Sequence, residues 1–310
     1  MTPTQGKILV IRGGAIGDFI LTVPVLAALR QQFPRTHLEV LGYPHIAQLA
    51  LAAGLAKRVR SIEARPMAVF FARNGELEQS LKDYFSEFDL IISFLYDPDG
   101  IFKTNVGRCT RAQFIAGPHR PDEDAGVHAS DAFLKPLEQL AIFEADAVPR
   151  LEVEKAFETT IISGRWVAVH PGSGSDKKNW PESKWRELLQ YVMSATTLNL
   201  MLVGGEAERD RLNRLANALP PTRIKLMQSV ALPELARWLA SCVGYVGHDS
   251  GISHLAAAVG VRSLILWGES VEAVWRPRGG EMTILRDAHG LRNLSVPVVI
   301  NHLEKLLRVG

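Results

Sequence analysis

Short runs of apolar and β-branched residues alternate with longer amphipathic stretches along this chain, and the whole pattern occurs twice. Such alternation is typical of parallel sheets covered by helices on both faces, because each parallel connection crosses the sheet through a helix. At 310 residues, the chain also exceeds what one hydrophobic core usually fills. We therefore predict an α/β protein with two doubly wound parallel-sheet domains that face a central cleft.

The predicted strands divide into two sets. Those of the first half are Lys7 to Arg12, His37 to Tyr43, Arg58 to Ile62, Leu90 to Tyr96 and Gln113 to Ala116. Those of the second half are Trp166 to His170, Leu198 to Val203, Ile224 to Met227, Val243 to Gly247, Ser263 to Trp267 and Met282 to Leu285. A Pro-containing extended stretch at 148–153 separates the halves. We place a first domain at 1–152, a second at 153–296, and a closing helix at 297–310 that could pack back towards the first domain.

Composition excludes several classes of protein. The net charge of +2 is too small for a nucleic-acid groove, which needs a clustered basic stripe. The two cysteines, Cys109 and Cys242, stand alone in their regions, so we expect free thiols in a reducing compartment. The first residues lack the positive region of a signal peptide, and no uncharged apolar stretch approaches the roughly 20 residues of a membrane-spanning helix. We expect a soluble protein.

The loop between the first strand and the first helix, Arg12 to Asp18, is rich in glycine. Its adjacent glycines do not form the Gly-x-Gly-x-x-Gly dinucleotide fingerprint, and it lacks the Gly-Lys-Ser/Thr ending of a P-loop. The loop would let a ligand approach the backbone closely. Asp18 at the helix start has two interpretations, either a helix-capping residue or a general base that faces the cleft.

Three loops of the second half carry polar groups directly after predicted strands. The stretch His170 to Pro181 offers backbone N–H groups, hydroxyls and two lysines, which suits a phosphate but also a solvated loop. After Gly204 and Gly205, Glu206 could accept hydrogen bonds from a ribose or stabilise a helix start. The segment His248 to His254 starts a helix that could bind a diphosphate, or could hold a capping Asp and a buried His.

Two further patterns are weaker. The sequence Asp97-Pro98-Asp99 imitates the Asp-x-Asp pair of metal-dependent sugar transferases, but Pro-Asp-Gly is an ordinary turn. His248 and His254 are six residues apart and would not share a helical face. We therefore predict no metal site and no cofactor. A basic cluster in the first half is either a solvated face or a site for an anionic acceptor; it contains Lys57, Arg58, Arg60, Arg65 and Arg73.

Together these motifs resemble the ADP-heptose:lipopolysaccharide heptosyltransferase family, glycosyltransferase family 9. The resemblance covers nearly the whole chain and depends on four ordered segments. These are Lys7 to Arg12 leading into Gly17-Asp18, then His170 to Ser173 with Lys178 to Pro181, then Gly204-Gly205-Glu206, and finally Asp249-Ser250-Gly251 with His254. The resemblance implies a GT-B fold, in which the first Rossmann-like domain binds the acceptor and the second binds the nucleotide sugar.

The resemblance also implies roles for individual residues. Asp18 would be the base that removes the acceptor proton. The donor contacts would be Ser173, Gly174, Lys178, Glu206, Asp249, Ser250, Gly251 and His254. We add Gly14, Gly17, Arg58 and Arg60 as acceptor contacts. Two departures weaken the donor assignment, since Ser173-Gly174 stands where a threonine pair is frequent and Ser250 stands where threonine is common.

The predicted function is an inverting, metal-independent glycosyltransferase. It would transfer a heptose or related sugar from an ADP-linked donor, ADP-heptose first among them, to a lipopolysaccharide core or another anionic glycan or glycolipid. Another nucleotide sugar, a protein acceptor, or a non-catalytic nucleotide-sugar-binding protein remain open alternatives. A nicotinamide oxidoreductase would need the missing fingerprint. We expect a cytoplasmic protein without nucleic-acid partners, which could still contact the cytoplasmic face of the inner membrane.

Overall fold

The computed structural model describes residues 6–156, 164–173 and 179–308. Two compact units divide between Leu151 and Glu152, one residue before the boundary placed from the sequence. Each unit contains one sheet in which every pair of neighbouring strands is parallel. The predicted class, two doubly wound α/β domains, is confirmed for both units.

The first unit has a five-stranded sheet. Its strands are β1 (Lys7–Arg12), β2 (His37–Gly42), β3 (Arg58–Ser61), β4 (Leu90–Ser93) and β5 (Gln113–Ala116). Its α-helices are α1 (Ile16–Gln32), α2 (Pro44–Ala52), α3 (Gln79–Ser86), α4 (Ile101–Gly107) and α5 (Ala129–Leu134), with 3₁₀ helices at Arg65–Phe71 and Lys135–Leu140.

Strand β1 lies at the centre of this sheet, between β2 and β4. Its alternate residues Leu9 and Ile11 are completely buried in a core that includes Phe70, Phe85 and Phe102. This explains the continuous apolar run read from the sequence, because a parallel strand covered on both faces has no polar side.

The second unit has a six-stranded sheet. Its strands are β6 (Trp166–His170), β7 (Asn199–Gly204), β8 (Ile224–Gln228), β9 (Gly244–His248), β10 (Ser263–Leu266) and β11 (Met282–Leu285). Its helices are α6 (Glu182–Ala195), α7 (Arg209–Asn217), α8 (Leu232–Ala240), α9 (Gly251–Ala258), α10 (Glu272–Trp275) and α11 (Val296–Arg308), with 3₁₀ helices at Pro221–Arg223 and Leu291–Asn293.

The closing helix α11 belongs to the second unit, whereas the sequence-based division set it apart. Its residues Val299, Leu303 and Leu306 are buried in the same core as Val167 of β6 and Leu200 of β7. The helix packs against α6, β9 and β10. Its apolar face therefore completes the second core.

No helix of the described residues is long and apolar enough to span a membrane.

Both sheets have the strand order of the Rossmann fold. The first runs β3-β2-β1-β4-β5, and the second runs β11-β10-β9-β6-β7-β8. In such sheets there is one point where the strand order reverses, and the helical connections that leave the two strands there run to opposite sides. Ligands bind outside the carboxyl ends of these two strands. The reversal lies between β1 and β4 in the first sheet and between β6 and β9 in the second.

Strand β4 is shorter than predicted. It pairs with β1 and β5 only from Leu90 to Ser93, whereas the apolar run suggested a strand that continued to Tyr96. β5 ends at Ala116, opposite Ser93, and β1 continues only one residue further, to Arg12, so the chain leaves the sheet after Ser93. The residues that follow Ser93 therefore form a loop at the carboxyl edge.

Candidate functional site

The β1–α1 loop of the first unit holds Asp18 at a defined position. Asp18 is the third residue of α1, and its Oδ2 accepts a hydrogen bond of 2.9 Å from the Ala15 amide, as in a capping box. Gly14 adopts φ +98°, and a Cβ there would lie 2.9 Å from the same Oδ2. Glycine is therefore required at this turn, both for its backbone angle and for the space that Asp18 occupies.

A buried arginine lies directly beneath this loop. Arg12, at the end of β1, is 3 % exposed. Its guanidinium donates to the main-chain oxygens of Phe94 at 3.3 Å, His119 at 2.9 Å and Asp18 at 3.3 Å. It also lies 3.6 Å from Asp18 Oδ1. Burial lowers the pKa of Arg12 to about 10, and the Asp18 carboxylate partly opposes that shift. Arg12 thus connects the loops that follow β1, β4 and β5.

The sequence offered a capping role or a catalytic role for Asp18, and the structure allows both. A carboxylate has about four lone-pair positions, and the Ala15 amide and Arg12 engage only part of them. The Asp18 side chain is 27 % exposed, at the reversal point of the first sheet. It is positioned to accept a proton from a ligand at the carboxyl edge.

The expected acceptor residues do not all gather at this loop. Gly17 lies in the first turn of α1, next to Asp18. Arg58 and Arg60 instead lie within the edge strand β3. Arg58 is 3.9 Å from the buried Glu39 carboxylate, and Arg60 stacks over the Tyr84 ring at 4.1 Å. The two arginines therefore already stabilise the edge of the sheet.

The Asp97-Pro98-Asp99 segment has a local structural role. The two carboxylate oxygens of Asp97 accept hydrogen bonds from the Phe102 and Lys103 amides, at the start of α4. Asp99 pairs with Arg73 at 3.5 Å. No cluster of three or more metal-ligating side chains occurs among the residues that the structure describes.

In the second unit, His248 joins the two strands at the reversal point. The Trp180 amide donates to its Nε2 at 2.8 Å, so its Nδ1 carries the proton and donates to the Gly172 carbonyl at 3.2 Å. Burial lowers the pKa of His248 to about 3, which keeps the ring neutral. The motif analysis assigned no role to this histidine, and the structure shows that it holds the loop after β6 against the end of β9.

A second buried contact joins the same two strands. The Ser250 hydroxyl lies 3.2 Å from His170 Nδ1 and 3.4 Å from the Ser253 hydroxyl, which contacts Tyr245 Oη at 3.0 Å. Burial, with a smaller effect from the charge of Arg211, lowers the pKa of His170 to about 4. Ser250 is the N-cap residue of α9 by its backbone, but its hydroxyl caps no amide of that helix, whose residues are all described.

The start of α9 is consequently held from beneath by side chains, and a helix start can bind an anion. The first amides of a helix have no partner within it, and they lie at the positive end of its dipole. Asp249, just before the helix, is 7 % exposed and accepts a hydrogen bond from the Ser270 hydroxyl. His254 is buried in the first turn of α9. Asp249, Ser250, Gly251 and His254, the donor contacts expected from the motif, all lie at this helix start.

The loop after β6 completes the described part of this site. Ser173 donates from its hydroxyl to Asn179 Oδ1 at 2.8 Å. Gly174 and Lys178, both expected donor contacts, lie outside the described residues. Arg211 on α7 donates to the Pro171 carbonyl at 3.0 Å and adds a positive charge beside the loop.

Two glutamates follow β7 and have different surroundings. Glu206 has an 86 % exposed side chain, 3.8 Å from Arg209. Glu208 instead accepts a hydrogen bond of 2.8 Å from the Gly205 amide, and a Cβ at Gly172 would lie 2.2 Å from its Cγ. Sequence reasoning did not identify Glu208 or Arg211. Their spacing of three residues puts them on one face of the α7 segment, and that spacing was the available signal.

The chain is similar to known proteins in three respects: a family profile, whole sequences and a solved structure. The sequence profile of glycosyltransferase family 9 (heptosyltransferase) matches residues 138–295, slightly more than half of the chain. Lipopolysaccharide heptosyltransferase 1 of Pseudomonas aeruginosa is 25 % identical, over 84 % of this chain and 78 % of that protein. Lipopolysaccharide heptosyltransferase 3 of Escherichia coli is 23 % identical, over 84 % of this chain and 82 % of that protein.

A solved structure shares the whole fold. The Escherichia coli ADP-heptose lipopolysaccharide heptosyltransferase II superposes with a TM-score of 0.80 at 16 % identity, and covers 97 % of this chain and 98 % of its own. At that identity the likeness supports the GT-B fold alone. The family resemblance drawn from the motifs is confirmed by the profile match. The chain belongs to glycosyltransferase family 9 and is a glycosyltransferase.

Proposed function

We propose that this enzyme transfers a heptose or a related sugar from an ADP-linked donor to a lipopolysaccharide core or a similar anionic glycan. The observation that carries the proposal is the anion site at the start of α9, where His248 and Ser250 join the two strands at the reversal point. The amides of Gly251 and Ile252 at that helix start can donate to a diphosphate. The names of the relatives, which are lipopolysaccharide heptosyltransferases, support the choice of donor and acceptor.

The donor contacts of the proposal are those expected from the motifs. Ser250, Gly251 and the α9 amides would contact the phosphates, with Ser173, Gly174 and Lys178 from the β6 loop, while Asp249 and His254 would contact the sugar or phosphates. Glu206 would contact the ribose, with Glu208 beside it on the same helix start. Arg211 would add positive charge near the diphosphate.

In the proposed mechanism, the acceptor hydroxyl attacks the anomeric carbon from the face opposite the diphosphate. A carbon–oxygen bond forms to the acceptor, the bond to the diphosphate oxygen breaks, and the proton passes to the Asp18 carboxylate. Configuration at the anomeric carbon therefore inverts. The leaving diphosphate gains negative charge, which the helix amides, Lys178 and Arg211 stabilise without a metal ion.

The acceptor side of the proposal rests on Asp18, Gly14 and Gly17, with Arg58 and Arg60 as further candidates. Beside their contacts with Glu39 and Tyr84, the Arg58 side chain is 57 % exposed and Arg60 is half-buried. They could therefore attract an anionic glycan without leaving the edge strand.

The decisive variant is Asp18→Asn. It should lower turnover about 10²- to 10⁴-fold, the usual contribution of a general base, while ADP affinity measured by calorimetry stays unchanged. Asp89→Asn is the matched control, because Asp89 also accepts a hydrogen bond from a backbone amide, that of Lys7 at 2.8 Å, but precedes β4 at the amino edge of the same sheet. Asp89→Asn should remain active. Full activity in Asp18→Asn would refute the role of Asp18 as the base.

The donor is tested separately, by thermal shift with ADP-, GDP- and UDP-linked sugars. ADP-linked forms should stabilise the protein most, and Lys178→Ala should weaken that effect. A larger shift with another nucleotide would replace the ADP assignment. If an ADP-sugar binds, but neither transfer nor hydrolysis follows with any acceptor, the chain is a nucleotide-sugar-binding protein.

A further inference from the structure

Two aromatic side chains lie at the carboxyl edge of the first sheet, in the loops that follow β4 and β5. Tyr96 comes three residues after the end of β4, and His119 three residues after the end of β5. Because β4 lies between β1 and β5, these loops adjoin the β1–α1 loop that carries Asp18. Asp18 and Tyr96 thus follow the two strands at the reversal point, where doubly wound sheets bind their ligands.

Tyr96 is exposed, yet its surroundings hold it in place. The residue is 68 % exposed, and its ring contacts the His119 ring edge to face, with centroids 4.6 Å apart. Before it, the Phe94 carbonyl accepts a hydrogen bond from Arg12. After it, the Asp97 carboxylate accepts two bonds from the start of α4. The chain is therefore held on both sides of Tyr96, while the ring itself stays open to solvent.

The same guanidinium that orients Asp18 also fixes the His119 loop. Arg12 donates to the His119 carbonyl at 2.9 Å and lies 3.6 Å from Asp18 Oδ1. One buried guanidinium therefore holds the aromatic pair and the Asp18 carboxylate at fixed positions relative to each other. Such an arrangement suits a ligand that must present one hydroxyl to Asp18 while an apolar face rests on aromatic rings.

The ring of a sugar has this chemistry. Its C–H groups form an apolar face that packs on aromatic rings, and its hydroxyls project from the rim. The Tyr96 hydroxyl and the His119 imidazole can hydrogen-bond to that rim. We infer that Tyr96 and His119 form the subsite for the acceptor sugar ring, and that this ring presents its hydroxyl to Asp18. The inference rests on the proposed function and adds the residues that recognise the acceptor.

The test is steady-state kinetics with saturating ADP-heptose and deacylated, heptose-deficient lipopolysaccharide as the acceptor. Tyr96→Ala should raise the acceptor KM about 10- to 100-fold, because it removes the apolar contact area of one aromatic ring. It should leave the donor KM unchanged. Tyr96→Phe keeps the ring and loses only the hydrogen bond of the hydroxyl, so it should raise the acceptor KM by only about 2- to 10-fold. Phe143→Ala is the matched control, because Phe143 is 71 % exposed and follows a 3₁₀ helix instead of a strand.

A binding measurement separates recognition from chemistry. Asp18→Asn protein should bind the same acceptor in saturation-transfer NMR, and the double variant with Tyr96→Ala should lose that signal. If the wild type transfers heptose but Tyr96→Ala leaves the acceptor KM unchanged, or changes the donor KM instead, the inference fails and the proposed function stands. If the wild type neither binds nor glycosylates the acceptor, both fail.

Discussion

Replacing Arg12 with methionine should destabilise the first unit and disorganise its site. The change keeps an apolar stem but removes three hydrogen bonds to main-chain oxygens and the contact with Asp18. A hydrogen bond from a charged donor contributes about 1.5–3 kcal/mol, and the 3.3 Å bonds belong at the lower end. The variant also removes the cost of a buried charge, because burial, partly opposed by the Asp18 charge, lowers the pKa of Arg12 to about 10, a net cost of about 3 kcal/mol.

The net loss in free energy of unfolding should be about 3 kcal/mol, within the range for breaking a buried ion pair. In a unit of this size the melting temperature should fall by about 6–12 °C, measured by calorimetry. Turnover should fall about 100-fold, because Asp18 and the loops after β4 and β5 lose their common anchor and small displacements of reacting groups are costly.

Arg30→Met supplies the comparison. Arg30 is at the other end of α1 and also donates to main-chain oxygens, those of Thr36 at 3.0 Å and Leu55 at 3.4 Å. Its loss should cost about 1–2 kcal/mol and leave turnover unchanged. A loss below about 1 kcal/mol in Arg12→Met, or an equal drop of activity in both variants, would refute the anchoring role.

Three further predictions concern the same two sites. Gly14→Ala should abolish most turnover, because the new Cβ would displace the Asp18 side chain. Gly54 also has a positive φ, but no atom lies within 4 Å of a Cβ there, so Gly54→Ala should only lower the stability by about 1 kcal/mol. Equal activities of the two variants would contradict this. His170 and His248, both buried in the second unit, stay neutral in the fold, with pKa values of about 4 and 3, but protonate near 6.5 when unfolded. Stability should therefore fall as the pH drops below 6.5, by about 2 kcal/mol per histidine at pH 5; His248→Gln should weaken this dependence in thermal unfolding, and exposed His289→Gln should not. Asp97→Ala should destabilise α4 by about 1 kcal/mol. Turnover of the enzyme should not change when EDTA is added. Activity that is lost in EDTA and restored by manganese would instead support a metal-binding role for Asp97 and Asp99.

Several features were predictable because they depend on short-range constraints. The central strands were evident as continuous apolar runs, and β1 and β6 begin and end where predicted. The glycine turns and Asp18 were evident because a tight turn into a helix admits few residue types. Strand β4 was predicted too long, because an apolar run does not reveal where its neighbours end.

The roles of single side chains depended on distant partners. The motifs gave His248 no role, and its two nitrogens bond to residues about 70 positions earlier in the chain. The motif pointed to Glu206 as the glutamate of the donor site. In the structure, Glu208 is the glutamate that packs against Gly172 of another loop. Arg12 appeared as the polar end of an apolar strand, and its contacts with Phe94 and His119 exist only once β4 and β5 are in place.

The sequence by itself determined the class of fold, the family and the loops that can hold a ligand, because these follow from periodicity and from residues with restricted backbone chemistry. Only the tertiary structure decided which side chains at those loops support the backbone and which face a ligand. Hydrogen bonds and burial between segments 70 to 110 residues apart make that difference, and no local pattern encodes them.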